Sequence, residues 1–107
     1  MPGRWRPGSF IRSRGSRTCP PGSAAVVRAG ERELALFNVD GTFYATQNEC
    51  LHLKGPLGRG RLAGCVLSCP WHGWQYDVRT GENEFDRALA LETFEVVAEN
   101  GEVKVVL

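Results

Sequence analysis

Histidine is scarce in this 107-residue chain, which has only His52 and His72. A catalytic centre that combines a histidine base with further histidine ligands therefore has too few residues to draw on. The sequence also lacks an apolar run of about 18 residues, so we expect no membrane-spanning helix. The first residues are basic but have no apolar segment, and we expect no secretory signal there.

Positive charge is concentrated at one end of the chain. Residues 1–17 hold five arginines and no acidic side chain, whereas residues 18–107 hold eight basic and twelve acidic side chains, a net charge of −4. Residues 1–20 are also rich in Gly and Pro, and we predict that they form a loosely ordered leader before a single domain at 21–107. The acidic body lacks the basic stripe of a nucleic-acid-binding protein, so we expect no nucleic-acid partner.

The four cysteines fall into two groups. Cys50 and Cys69 stand near the two histidines in metal-ligand spacing, which favours a metal site and a reducing compartment, and so a cytoplasmic protein, over a disulfide framework. Cys65 falls in an apolar stretch and is predicted to be a buried thiol. A disulfide between Cys19 and Cys65 remains an alternative.

The pattern from residue 23 onward consists of short strands and turns. Asp40-Gly41 and Asn100-Gly101 are strong hairpin turns, residues 58–61 form a further turn, and no long 3.6-residue period appears. The sequence therefore predicts an all-β, antiparallel domain of sandwich or barrel type. The expected strands are Ala24–Arg28, Arg32–Val39, Thr42–Thr46, Leu62–Ser68, Trp74–Val78, Leu91–Ala98 and Glu102–Leu107.

Two short segments carry the chemistry: Cys50-Leu51-His52 and Cys69-Pro70-Trp71-His72, with sixteen residues between them. A zinc site of two Cys and two His usually groups Cys with Cys and His with His, but each segment here is mixed. Mixed pairs suit a [2Fe–2S] centre in which two Cys bind one iron and two His bind the other. We therefore favour iron–sulfur and keep zinc as the alternative.

The resemblance to Rieske proteins rests on three segments. Residues 69–81 resemble the second cluster loop of that family, residues 50–57 resemble the first, and residues 37–46 resemble the hairpin before it. The chain is most similar to the small Rieske-type ferredoxins of bacterial aromatic-ring dioxygenase systems. The resemblance implies a [2Fe–2S] cluster bound by Cys50, His52, Cys69 and His72.

The resemblance also implies an architecture. It is a Rieske-type antiparallel β-sandwich of short strands in three stacked sheets, with a cluster-binding subdomain formed by the two loops. His52 and His72 are expected to be exposed towards the redox partner. The residues expected to surround the cluster are Leu51, Leu53, Gly55, Pro56, Pro70, Trp71, Gly73, Trp74 and Tyr76.

The function implied is that of a soluble one-electron carrier rather than an enzyme. The expected partners of this monomer are a flavin-dependent reductase and a terminal oxygenase. A small Rieske subunit that works with the large subunit of an assimilatory nitrite reductase is the alternative, and a zinc-stabilised binding module is the third hypothesis. A catalytic oxygenase subunit is disfavoured, because no histidine is left for a second iron.

Two departures from respiratory Rieske proteins bear on the reduction potential. The chain has no additional cysteine in each loop to form a disulfide across the cluster, and Trp74 stands where a serine would bond a sulfide. Fewer hydrogen bonds to sulfur favour a low potential, on the order of −150 mV. Tyr76 is expected to raise it somewhat by bonding a cysteine sulfur; a packed ring with a solvated hydroxyl is the competing interpretation.

Overall fold

The computed structural model describes residues 19–29, 31–52, 54–99 and 102–106. Residues 1–18 of the predicted leader, Leu53 and the Asn100-Gly101 turn lie outside the described residues. Eight strands follow in chain order, with a 3₁₀ turn at Leu57–Arg59 between the third and the fourth. They are β1 (Ser23–Ala29), β2 (Arg32–Val39), β3 (Thr42–Gln47), β4 (Arg61–Ala63), β5 (Val66–Ser68), β6 (Gln75–Asp77), β7 (Thr93–Glu99) and β8 (Glu102–Val106).

The strands form two antiparallel sheets. One has the order β1-β2-β3-β7-β8 and the other the order β4-β5-β6. Only two residue pairs, Ala45 with Phe94 and Thr46 with Thr93, join β3 to β7. The prediction of an all-β, antiparallel domain is confirmed. The structure has two sheets instead of the expected three, because this short pairing connects the β7–β8 hairpin to the first three strands.

Strand β2 is buried on both faces and joins the two halves of the core. Its even positions Leu34 and Leu36 pack with Val103 and Val105 of β8. Its odd positions Ala35 and Phe37 pack with Cys50, Cys69 and other residues of the loops that follow β3 and β5. Because successive side chains on a strand point to opposite faces, one strand serves both clusters.

The hairpin turn between β2 and β3 is the one that Asp40-Gly41 predicts. Asp40 has φ 56° and Gly41 has φ 94°. Positive φ at both central residues is the geometry that matches the twist of the flanking strands. Asn38, which is 1% exposed, holds the turn: its Oδ1 accepts from Gly41 N at 2.7 Å and its Nδ2 donates to Cys19 O at 2.8 Å.

The predicted strand Leu62–Ser68 is wrong as a single element. Gly64, with φ 61°, lies in a turn that divides this apolar stretch into β4 and β5, which pair with each other. Residues 58–61, predicted as one turn, are divided between the 3₁₀ turn and the start of β4. The other strand predictions agree with the structure to within one or two residues at each end.

The two remaining cysteines are separate free thiols. Cys19 is fully buried in the core cluster that contains Leu34, and its Sγ lies 3.2 Å from Ser23 O. Burial raises the pKa of the Cys19 thiol. Cys65 lies in the turn between β4 and β5 and is half-buried at the edge of the core cluster that contains Phe37. The prediction that it is a buried thiol is therefore wrong. The disulfide alternative is not supported.

Asp77 fixes the turn after β6. Its carboxylate accepts hydrogen bonds from Arg79 N at 2.9 Å, from Nε at 3.1 Å and from Nη2 at 2.8 Å. These bonds hold the pKa of Asp77 below its usual range.

No helix in the described part of the chain is long and apolar enough to cross a membrane.

Replacement of Asn38 tests the link between Cys19 and the Asp40-Gly41 turn. We expect Asn38→Ala to lower the stability by about 2 kcal/mol, because it removes two hydrogen bonds and leaves a buried carbonyl unpaired. This corresponds to a fall of about 10 °C in Tm, measured by far-UV circular dichroism at one scan rate. The exposed Thr42→Ala change in the same turn should leave Tm unchanged. Equal Tm values for the two variants would contradict this role of Asn38.

Candidate metal centre

The first loop begins at Cys50, three residues after the end of β3. Cys50 N donates to Gly55 O at 2.9 Å, and Lys54 N donates back to Cys50 O at 3.0 Å. Lys54 takes a left-handed conformation, with φ 59°, to close the loop. Asn48, which is buried, holds the loop on its outer side by accepting from Gly58 N at 2.9 Å. The loop is therefore a closed, hydrogen-bonded unit.

The second loop, between β5 and β6, closes in the same way. Cys69 N donates to Trp74 O at 2.7 Å, so each loop is closed by the N–H of its cysteine and the carbonyl five residues later. His72 (φ 67°) and Gly73 (φ 72°) are both left-handed at the tip. A positive φ is uncommon for histidine and carries strain, which the closed loop holds in place.

The two loops meet at Gly55. A Cβ at this position would lie 2.8 Å from Cys69 Sγ and 3.0 Å from the Trp71 ring. Only a residue without a side chain permits this approach. Gly55 thus places the sulfur of the second loop directly against the backbone of the first.

The two imidazoles lie together at the tip of the loops. The His52 and His72 ring centroids are 5.3 Å apart at an interplanar angle of 66°. His52 is also stacked on Trp74, with centroids 4.6 Å apart and planes within 8°. His72 is exposed as expected, but His52 is half-buried, because Trp74 covers one face of its ring.

One nitrogen of His52 is left without a partner. Its Nδ1 is buried and has no hydrogen-bond partner among the residues that the structure describes. A buried, unpaired polar atom is costly, and buried nitrogens are normally paired. A metal ion bound at this nitrogen would remove that cost, so the residues at this site fit a metal group.

Tyr76 lies beneath the first loop and is fully buried. Its hydroxyl is 3.1 Å from Cys50 Sγ and accepts from Leu51 N at 3.2 Å. Because Leu51 N supplies a proton to the oxygen, the hydroxyl proton is available for the sulfur. Burial, together with the bond to Cys50, raises the pKa of Tyr76 well above its usual range. The interpretation with a solvated hydroxyl is wrong for this residue.

Both thiols at the site are buried. Cys50 is 1% exposed and Cys69 is 3% exposed. Burial raises the pKa of the Cys69 thiol to about 11, although Trp71 N lies 3.4 Å from the sulfur and partly opposes the rise. A free thiolate is therefore disfavoured at Cys69, and a bound cation is what stabilises the deprotonated form of such a thiol.

The ligand-type side chains are not arranged around one point. Among the described residues, no three Cys, His, Asp or Glu side chains form a group suited to a single metal ion. A structural zinc ion needs four ligands at one centre. A binuclear cluster needs only two protein ligands at each iron. The described Cys and His side chains therefore do not form a four-ligand site around a single ion.

Most of the residues predicted to surround the cluster lie near the four candidate ligands Cys50, His52, Cys69 and His72. Gly55, Pro56, Trp74 and Tyr76 are buried or half-buried beside them, whereas Leu51, Pro70, Trp71 and Gly73 are exposed. Leu53 lies outside the described residues. The sequence analysis missed Phe85, which packs edge-on against Trp74 at 5.1 Å while remaining 68% exposed. An aromatic residue within the acidic stretch from Glu82 to Asp86 is the only sequence signal for it.

Comparison with known protein families also indicates an iron–sulfur protein. The model of the Rieske [2Fe–2S] domain matches residues 10–95. This chain belongs to the Rieske family. The [2Fe–2S] cluster of that family is therefore the cofactor that the match indicates.

The relatives of this Rieske protein include ferredoxins of dioxygenase systems. It is 44% identical over 64 residues to the biphenyl dioxygenase ferredoxin subunit of Pseudomonas sp. (strain KKS102), a match that spans 59% of each chain. It is 40% identical over 81 residues to ferredoxin CarAc of Metapseudomonas resinovorans, covering 75% of this chain and 76% of that one. These relatives give the nitrite reductase alternative no support.

A solved structure has the same fold. In the complex of reduced oxygenase and oxidized ferredoxin of carbazole 1,9a-dioxygenase, one chain superposes with a TM-score of 0.81 and 34% identity. The match covers 92% of this chain and 94% of that chain. It therefore extends over nearly the whole of both chains.

Substitution of Tyr76 tests its effect on the cluster potential. We expect Tyr76→Phe to lower the midpoint potential by about 40 mV, because a hydrogen bond to sulfur of about 1 kcal/mol stabilises the reduced form. Tyr44→Phe is the matched control, since this half-buried tyrosine lies on β3. Redox titration that gives Tyr76→Phe the potential of the wild type would exclude the bond to Cys50 as a determinant.

Substitution of Gly55 tests the approach of the two loops. Gly55→Ala should reduce bound iron to below about half of the wild-type content, because the new methyl group collides with Cys69 Sγ. Gly64→Asn is the control, since this turn glycine has no atom within 4 Å of its Cβ position and asparagine tolerates a positive φ. Full iron content in Gly55→Ala by a colorimetric iron assay would show that the loops separate easily.

Proposed function

We propose that Cys50 and Cys69 bind one iron of the cluster and that His52 and His72 bind the other. Three observations support this set: the buried thiols, the paired imidazoles 5.3 Å apart and the unpartnered Nδ1 of His52. When bound, the cluster supplies a one-electron couple that the polypeptide itself lacks. The chain positions the ligands, excludes water with Trp74 and bonds a sulfur through Tyr76.

We propose that the protein is a one-electron carrier that accepts an electron from a flavin-dependent reductase and delivers it to a terminal oxygenase. The observation that carries this proposal is the surface around the histidines. The described residues include three exposed large apolar side chains, and all of them border this site: Leu51 (42% exposed), Trp71 (47%) and Phe85 (68%). Exposed aromatic and apolar side chains are typical of the core of a protein–protein interface, so this surface suits the docking of a partner.

The partner assignment follows the relatives. The solved carbazole 1,9a-dioxygenase complex contains an oxygenase and a ferredoxin similar to this chain over nearly its full length. By analogy, we propose a terminal oxygenase as the electron acceptor. A carrier that must leave one partner for the next is best suited by a monomer, and its free thiols are best suited by a reducing cytoplasm.

The ligand set is tested by replacing single residues. We expect His52→Ala and Cys69→Ser each to lose the visible absorption and the acid-labile sulfide of the cluster, because one iron then keeps only one of its two protein ligands. Cys65→Ser is the matched control and should retain both signals. A cluster that persists at full occupancy in His52→Ala would contradict the ligand assignment.

The electron-carrier function is tested by an anaerobic redox titration with iron and sulfide analysis. We expect two irons and two sulfides per chain and a midpoint on the order of −150 mV, raised somewhat by Tyr76. A midpoint well above 0 mV would point to a quinol-linked role instead. Zinc in place of iron would contradict electron transfer altogether.

A further inference from the structure

A basic groove lies beside the second loop. It has a volume of about 720 Å³ and is lined by the start of β1, by the segment 59–62 and by residues 68–70, which include Cys69. Arg59 and Arg61 both line it and both are exposed. Arg59 ends the 3₁₀ turn and Arg61 begins β4, with Gly60 between them.

These two arginines differ from the other four in the described part of the chain. Arg28, Arg32, Arg79 and Arg87 each form an ion pair with an acidic side chain. Among the described residues, neither Arg59 nor Arg61 has such a partner. In a body whose net charge is −4, these two arginines, which have no ion pair within the described part of the chain, are available for an external anion.

The dimensions and position of the groove narrow the choice of occupant. Its volume far exceeds that of an inorganic anion, and a duplex or single-stranded nucleic acid needs a longer row of basic groups than two arginines provide. The leader of the same chain is excluded by its five arginines and its lack of acidic residues. An acidic segment of a protein partner meets the requirements of both charge and size.

We propose that this groove binds an acidic segment of a redox partner and thereby sets how that partner docks against the second loop. The inference rests on the proposed electron-carrier function. Because the groove includes Cys69 and Pro70, a segment bound there holds the partner surface next to the candidate ligand loop. The ion pairs formed would be exposed, so they orient the partner and speed its arrival more than they tighten the complex.

The test measures binding of a fluorescein-labelled peptide of six glutamates to the holoprotein by fluorescence anisotropy at low salt. The variant is Arg59→Gln/Arg61→Gln. We expect its affinity to fall roughly 2- to 30-fold, because each exposed ion pair changes affinity by about 1.4- to 5-fold. The difference should disappear at high salt.

The control variant is Arg28→Gln/Arg32→Gln, which removes the same charge. These arginines lie at the far end of the β1–β2 hairpin, and Arg28 is five residues, or roughly 17 Å, along β1 from Ser23 at the groove. We expect this control to bind the peptide as the wild type does. An equal loss of affinity in both double variants would mean that net charge alone determines peptide binding. This result would overturn the proposal that the groove is the binding site.

Further outcomes separate the occupants. Tighter binding of a six-nucleotide thymidine oligonucleotide than of the glutamate peptide would overturn the proposal in favour of nucleic acid. Dimerisation abolished by the Arg59→Gln/Arg61→Gln change would assign the groove to a second copy and also overturn it. Cluster content and midpoint potential are measured on the same samples. If the wild type has an intact, reducible cluster but does not bind the peptide, the proposed role of the groove is wrong and the carrier function stands. If the wild type has no cluster, the carrier function itself is wrong.

Discussion

The close approach of the two loops at Gly55 is the contact on which the site depends. Each loop is closed internally by its own cysteine N–H, so hydrogen bonds within each loop fix its shape. The absence of a side chain at Gly55 then lets Cys69 Sγ and the Trp71 ring lie against the backbone of the first loop. Two rigid units in direct contact can hold four ligand-type side chains in a fixed arrangement, as preorganised sites require.

This contact is supported from below by strand β2. Phe37 packs beneath the loops, and Leu36, its neighbour on the opposite face, packs against β8. The loops therefore rest on a strand that is fixed from both sides, and Tyr76 fills the space beneath the first loop. A flexible site would have to reorganise at every electron transfer, whereas packing of this kind keeps the surroundings of the sulfur atoms constant.

Much of the fold could be predicted from local signals. The Asp40-Gly41 turn and the two strands that flank it can be predicted from neighbouring residues alone, and those strands lie where the pattern places them. The stretch Leu62–Ser68 could not be divided correctly, because an apolar run has the same pattern whether or not Gly64 turns it. The pairing of Ala45 with Phe94 joins residues far apart in the chain, and no short-range pattern indicates it.

The sequence by itself determined the chemistry of the site, because the mixed pairs Cys50–His52 and Cys69–His72 leave few other uses for the only two histidines. It also indicated Tyr76, although not whether its hydroxyl faces sulfur or water. Only the tertiary structure decided that this hydroxyl meets Cys50, that Trp74 covers His52, and that Phe85 and two arginines without an ion pair among the described residues lie beside the loops. The physical reason is that a ligand type is a property of one residue, whereas burial, stacking and unpaired charge depend on chain segments that meet only after folding.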